Sequence, residues 1–229
     1  MTSFVLVPGA GGMAWYWHRV APLLHAQGHD TVAVDLPGDD ERAGLAAYAD
    51  IVTAAAVGRG DTILVVQSLG GFTAPLVCAR VPVRMLVFVN AMIPKPGETA
   101  GAWWGATGAA QAREQGAERG GYPKNFDLTT YFLHDVPPEI LRTGPAEPRE
   151  ESSAVFGEPC GFERWPDVPM RVLAGMDDRF FPVEFQRRVA RDRLGIEIET
   201  IPGGHLVALS NPQGLTDRLL DYERGTRPR

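Results

Sequence analysis

The stretch 62–80, TILVVQSLGGFTAPLVCAR, constrains this chain more than any other. It opens on Ile63-Leu64-Val65-Val66, a short, charge-free, β-rich run of the kind buried on both faces of a parallel sheet. It ends in residues 72–80, which read as a helix. Only Gln67-Ser68-Leu69-Gly70-Gly71 lies between them, too few residues for a relaxed loop. A strand that turns into a helix this abruptly forces one residue into a strained backbone conformation. Ser68 would stand at that turn with its hydroxyl at the sheet's C-terminal edge, and Gly70 would let the helix pass close to the strand. Such are the mechanics of a G-x-S-x-G elbow, here with Val66 at the position of the first glycine. The plain alternative is a serine on an ordinary strand–helix turn, and the rest of the chain must decide.

Short apolar β-type runs alternate with helical stretches along most of the sequence, the pattern of a mostly parallel sheet with helices on both faces. Strands are predicted at residues 4–7, 31–34, 63–66, 85–89, 171–174 and 196–201. Helices are predicted at 19–27, stopped by Gly28, at 45–57, 72–80, 183–194 and 215–222, with a frayed tail over 225–229. The rhythm breaks over residues 92–169, where Pro, Gly, Trp and charged residues mix around a helical piece at 106–119. So long a break is a functional lid or a disordered segment. Trp103, Trp104, Tyr131, Phe132 and Phe156 argue for order. The expectation is one domain over 1–229 with an inserted cap at 92–169.

Two further groups bear on Ser68. After the strand at 171–174 comes Gly175-Met176-Asp177-Asp178, and after the last strand comes Pro202-Gly203-Gly204-His205. A carboxylate and an imidazole therefore leave the same sheet edge as the serine, in the chain order Ser, Asp, His. A serine hydroxyl is a weak nucleophile until a histidine takes its proton, and a carboxylate holds that histidine's tautomer. Asp177 competes with Asp178 for the acid role. Asp178 is preferred as the fourth residue of a G-x-x-D turn. Taken singly, each of these residues has a structural reading, as helix cap or loop histidine.

The first loop, Pro8-Gly9-Ala10-Gly11-Gly12-Met13-Ala14-Trp15, reads two ways. Gly9-x-Gly11-x-x-Ala14 after an N-terminal strand, with Asp35 closing the second strand, matches a dinucleotide fingerprint. That would make the chain an NAD(P)-binding Rossmann reductase. The bulk of Trp15-Tyr16-Trp17 opposes the close helix packing such a site needs. The competing reading is an oxyanion hole, with the backbone N–H groups of Ala10 and Leu69 converging on a developing negative oxygen. It accounts for Ser68, Asp178 and His205 as well. His18 reads as a surface residue. His25 and His29 lack the glutamate of an H-E-x-x-H motif, so no metal site is expected.

The bulk properties restrict partners. A net charge of −6 disfavours a nucleic-acid backbone. No apolar run is long enough to span a bilayer, and no secretory signal is visible at the N-terminus. Cys78 and Cys160 form no C-x-x-C, which suits a reduced, cytoplasmic setting. The oligomeric state is not legible.

Together these motifs resemble the α/β-hydrolase superfamily over nearly the whole chain. The opening VLVPGAGGMAWYWHRVAPLL looks like the plant methylesterase and hydroxynitrile lyase branch. The chain departs from that pattern at Pro8 (usually His), Val66 (usually Gly) and Gln67 (usually His or Glu). Leu206 stands where the lyases carry a lysine, which disfavours cyanohydrin cleavage. The resemblance implies an α/β-hydrolase fold and no cofactor, with Ser68, Asp178 and His205 as catalytic triad and Ala10 and Leu69 as oxyanion donors. The expected function is a serine hydrolase of small or medium apolar carboxylic esters, with Trp103 and Trp104 of the cap as candidate substrate contacts. C–C bond hydrolase, lactonase and thioesterase chemistry on the same triad remain open. So does a non-catalytic binding protein on the same fold.

Overall fold

A computed structural model describes residues 2–145 and 149–226. Six strands, β1 (Thr2–Val7), β2 (Asp30–Ala33), β3 (Asp61–Gln67), β4 (Met85–Val89), β5 (Met170–Gly175) and β6 (Glu199–Ile201), pair in parallel throughout, in the order β2-β1-β3-β4-β5-β6. The parallel sheet expected from the alternating pattern is present, and with it the architecture that the α/β-hydrolase resemblance implies. Val66, at the position of the first elbow glycine, pairs with Val7 on one side and Phe88 on the other.

Successive strand side chains point to opposite faces, and both faces are apolar. Val5, Val7, Leu64, Val66, Leu86, Phe88, Val172 and Ala174 enter one core. Phe4, Leu6, Ile63, Val65, Met85, Val87, Val89 and Leu173 enter the other. That is why these runs read as unbroken hydrophobic stretches. The helices are α1 (Ala21–Ala26), α2 (Leu45–Ala56), α3 (Ala74–Cys78), α4 (Ala100–Thr107), α5 (Ala109–Gly120), α6 (Pro138–Leu141), α7 (Ser153–Gly157), α8 (Val183–Leu194), α9 (Val207–Ser210) and α10 (Pro212–Gly225). α2, α3 and α8 cover the first core, and α1, α9 and α10 the second.

Four expectations are corrected. The helix at 72–80 shortens to α3, because a 3-10 turn, Ser68–Phe72, precedes it. The helical piece at 106–119 is two helices, since Gly108 takes a left-handed conformation (φ 66) that ends α4 and opens α5. β6 is an edge strand that pairs only with residues 173–175, so it starts at Glu199 rather than 196. α10 starts at Pro212, where Asn211 caps it by accepting from Gly214 N–H at 3.0 Å. Residues 227–229 of the anticipated tail, and 146–148 of the segment 92–169, lie outside the described residues. No helix among the described residues is long and apolar enough to cross a membrane.

Candidate active site

β3 runs straight into the 3-10 turn, and Ser68 takes the strain with φ 47, a conformation rare for any residue with a side chain. Glycines make room around it. A Cβ on Gly9 would lie 2.7 Å from Ser68 Cβ, one on Gly70 would lie 2.6 Å from Pro8 O, and one on Gly71 would collide with Met92 O. The first loop therefore lies directly against the turn. Gly12 N–H donates to Gly9 O at 3.0 Å, closing a turn around Ala10 and Gly11 (φ 80). Ala10 is exposed at its tip, and Leu69 is buried beside Ser68.

The serine leaves β3, the carboxylate β5 and the imidazole β6, all at one edge. His205 Nε2 lies 3.1 Å from Ser68 Oγ, and His205 Nδ1 lies 2.9 Å from Asp178 Oδ2. With the proton on Nδ1, the ring donates to Asp178 and accepts from the serine hydroxyl, so one tautomer satisfies both bonds. All three residues are buried. An ionised carboxylate in such a place needs partners. Asp178 Oδ1 accepts from Phe180 N–H and Phe181 N–H, each at 2.8 Å, and Oδ2 accepts from Gln186 Nε2 at 3.2 Å besides His205. Asp177 is exposed and turns away to accept from Gly203 N–H at 3.3 Å. Of the two aspartates, Asp178 is the one joined to the histidine.

The chain matches the alpha/beta hydrolase family over residues 4–218. It belongs to that family. Norfluorocurarine synthase 1 of a Strychnos species is 25% identical over 93% of this chain and 91% of its own length. Methylesterase 2 of Arabidopsis thaliana is 27% identical over 95% and 94%. The crystal structure of polyneuridine aldehyde esterase superposes with a TM-score of 0.77 at 23% identity, covering 97% of this chain and 99% of that one. Within that family the likeness is to the plant methylesterase-like branch.

Two polar residues that sequence reasoning passed over hold this hydrolase's array together. Asn90 ends β4 at φ 46 and is fully buried. Its Nδ2 donates to Gly204 O at 2.9 Å and His205 O at 3.1 Å, while its Oδ1 accepts from Gly175 N–H at 2.7 Å. It thus ties the end of β5 and the loop after β6 to β4, the strand between them and Ser68. Gln186 donates from Nε2 to Asp178, Asn90 Oδ1 and Phe181 O. Its signal was available: with Val189 and Ala190 it lies at i, i+3, i+4 on the buried face of α8, the one polar residue among apolar ones.

The first loop shows why the dinucleotide fingerprint does not apply to this hydrolase. A single 3-10 turn, Ala14–Trp17, follows the glycines where a cofactor-binding helix would start, and Trp17 is fully buried. Asp35 is engaged elsewhere: both its oxygens accept from Arg149 Nη2 at 2.7 Å, and Oδ1 also accepts from Ala14 N–H at 2.9 Å. His18 Nδ1 is 2.8 Å from Trp15 O, and buried His29 meets Phe4 edge-on. Among the described residues no group of three or more His, Cys, Asp or Glu is placed to hold a metal ion.

The segment between β4 and β5 sits against the array at several points. Phe132, in a π-helical turn Thr129–Leu133, meets the His205 ring edge-on at 4.8 Å, and Phe180 and Phe181 flank the same ring at 5.1 and 5.2 Å. Asp135 accepts from Gly204 N–H at 2.5 Å, so the turn it shares with His134 is packed on the histidine loop. Glu151 accepts from Gly11 N–H at 2.7 Å and from Tyr48 O–H at 2.5 Å, clasping the first loop. Burial raises the Glu151 carboxyl above its ordinary range.

The two tryptophans part company. Trp103 is fully buried, packs on Phe181 and Phe185, and donates from Nε1 to Ile93 O at 3.1 Å. Trp104 is half-buried and, with Arg113, Phe126 and Phe180, walls a cleft of about 290 Å³. Tyr131 is buried, with its hydroxyl donating to Pro123 O at 2.7 Å. Leu206 packs on the second core.

Proposed function

We propose that this protein is a cofactor-independent serine hydrolase that cleaves small or medium apolar carboxylic esters through an acyl-enzyme. The observation that carries this reading is the continuous Ser68–His205–Asp178 chain, with the serine on a strained turn at the sheet's C-terminal edge. Ser68 Oγ attacks the ester carbonyl while His205 Nε2 takes its proton. The backbone N–H groups of Ala10 and Leu69 face the oxygen that becomes negative. Collapse of the tetrahedral intermediate expels the alcohol, which takes the proton back from His205. Water, activated by the same imidazole, then attacks the acyl-serine and frees the acid. Asp178 fixes the imidazole tautomer and stabilises the imidazolium. The segment 92–169 acts as a cap over the nucleophile, with Phe132 as its contact to His205.

The partner in this reading is a small-molecule ester, in a cytoplasmic setting that suits the free thiols Cys78 and Cys160. Hydrolysis of short p-nitrophenyl esters by wild type and Ser68→Ala, with fluorophosphonate labelling of both, tests the assignment. Ser68→Ala should lose several orders of magnitude in kcat and all labelling. Equal rates would overturn the role of Ser68. Thioester, lactone and C–C substrates in the same assay fix the bond type.

A further inference from the structure

The cleft of about 290 Å³ beside the site is aromatic on three walls, Trp104, Phe126 and Phe180, and cationic on the fourth, Arg113. Arg113 projects from α5, with its guanidinium carbon 5.6 Å from the centre of the Phe126 ring, 5.5 Å from Tyr131 and 5.7 Å from Phe180. Neighbouring arginines are otherwise engaged. Arg179 donates to Thr130 O, Arg188 to Thr107 O, and Arg193 pairs with Glu98. Arg113 by contrast is held by rings, and its buried Nε has no hydrogen-bond partner among the described residues. That nitrogen is sealed from solvent, and what Arg113 offers a ligand is the charge it places in the wall of the cleft. The position matters as much as the charge. Phe180 touches the guanidinium on one side and the His205 ring, at 5.1 Å, on the other. One phenyl ring therefore separates the cation from the imidazole.

We propose that Arg113 receives a carboxylate carried by the substrate, so that among small esters with an apolar chain the preferred ones are half-esters of short dicarboxylic acids, which end that chain in a carboxylate. The proposal rests on the hydrolase reading and names the substrate class of that same site. A guanidinium matches a carboxylate with paired, charge-assisted hydrogen bonds. The aromatic walls accommodate the apolar spacer between that group and the scissile carbonyl. The chain's net charge of −6 offers an anion no general attraction, so selection for one must come from a local cation.

The test compares mono-p-nitrophenyl glutarate with p-nitrophenyl valerate, which has the same chain length and no charge. It uses wild type, Arg113→Gln and Arg113→Lys. The ratio of kcat/KM for the anionic to the neutral ester should fall about tenfold or more in Arg113→Gln and recover in part in Arg113→Lys. Glutarate should inhibit wild type competitively and Arg113→Gln far less. An unchanged ratio, or equal losses on both esters with a lowered Tm, would overturn the proposal and make Arg113 a packing residue. Failure of the hydrolase reading looks different: neither ester turns over and no fluorophosphonate label appears. Calorimetric titration of glutarate into wild type and Arg113→Gln then decides the carboxylate site by itself, binding to wild type alone supporting it and no binding overturning it.

Discussion

At the scale of single residues, the site is built from side chains in conformations their neighbours impose. Ser68 and Asn90, at φ 47 and 46, are the non-glycine residues with positive φ among those described, and both stand at the C-terminal ends of adjacent central strands. Strain of this kind persists only where the surroundings over-determine it. Asn90 is held by three backbone partners, and Ser68 by the turn itself, whose carbonyl accepts from Met92 N–H at 2.9 Å. The neighbouring aspartates make a paired test. Asp178→Asn keeps the shape but favours the wrong imidazole tautomer, so kcat should fall by about three to four orders of magnitude. Asp177→Asn, which disturbs one exposed bond to Gly203, should stay within a few-fold. Steady-state kinetics on one activated ester would reveal the opposite ranking if the acid were misassigned.

At the scale of elements, α4 carries two adjacent tryptophans with different tasks. Gly108 ends the helix before α5, and Thr99 caps its start by accepting from Ala102 N–H at 3.0 Å. Between those ends Trp103 faces inward onto Phe181 and Phe185, and Trp104 faces the cleft. Trp103→Ala should cost about 3–5 kcal/mol of stability, the penalty of emptying a fully packed core site. Trp104→Ala should instead change the kcat/KM ratio between short and long acyl esters. Denaturant melts and an acyl-length series on both variants separate the two effects. A Trp104→Ala protein with its acyl ratio intact would assign that residue to packing as well.

At the scale of the whole molecule, the segment 92–169 is fastened to the sheet edge from two sides. Asp135 holds the histidine loop through Gly204, and Glu151 and Arg149 hold the first loop and the loop after β2 through Gly11, Leu36 and Asp35. The Glu151 clasp gives a pH signature. Burial raises its carboxyl in the folded protein above the ordinary value of 4.5, with the bonds from Tyr48 and Gly11 opposing in part. The folded state therefore holds the proton more tightly than the unfolded chain. The resulting stability is full below the ordinary value and is lost as pH rises through the raised one. Glu151→Gln does not titrate, so its Tm should gain on that of wild type as pH is raised from about 4 toward neutrality. Thermal melts of both proteins across that range check it. A constant difference, or one of opposite sign, would contradict the assignment.

Sequence alone determined the parallel sheet, because each strand's burial on two faces leaves a local, charge-free signature such as Ile63-Leu64-Val65-Val66. It also brought Ser68, His205 and an aspartate pair to one edge, since a residue just after a parallel strand leaves the sheet on that side. What it left open depended on partners far away in the chain. Asp178, preferred over Asp177 only from its place in a turn, is joined to the site by a histidine in the loop after β6, and Trp103 is told from Trp104 by Phe185 on α8. Asn90, Gln186 and Glu151 gain their roles only from groups that folding delivers to them. Periodicity records which face of an element is buried. Which atom a buried polar group meets is decided when distant elements pack, and only the tertiary structure carries that information.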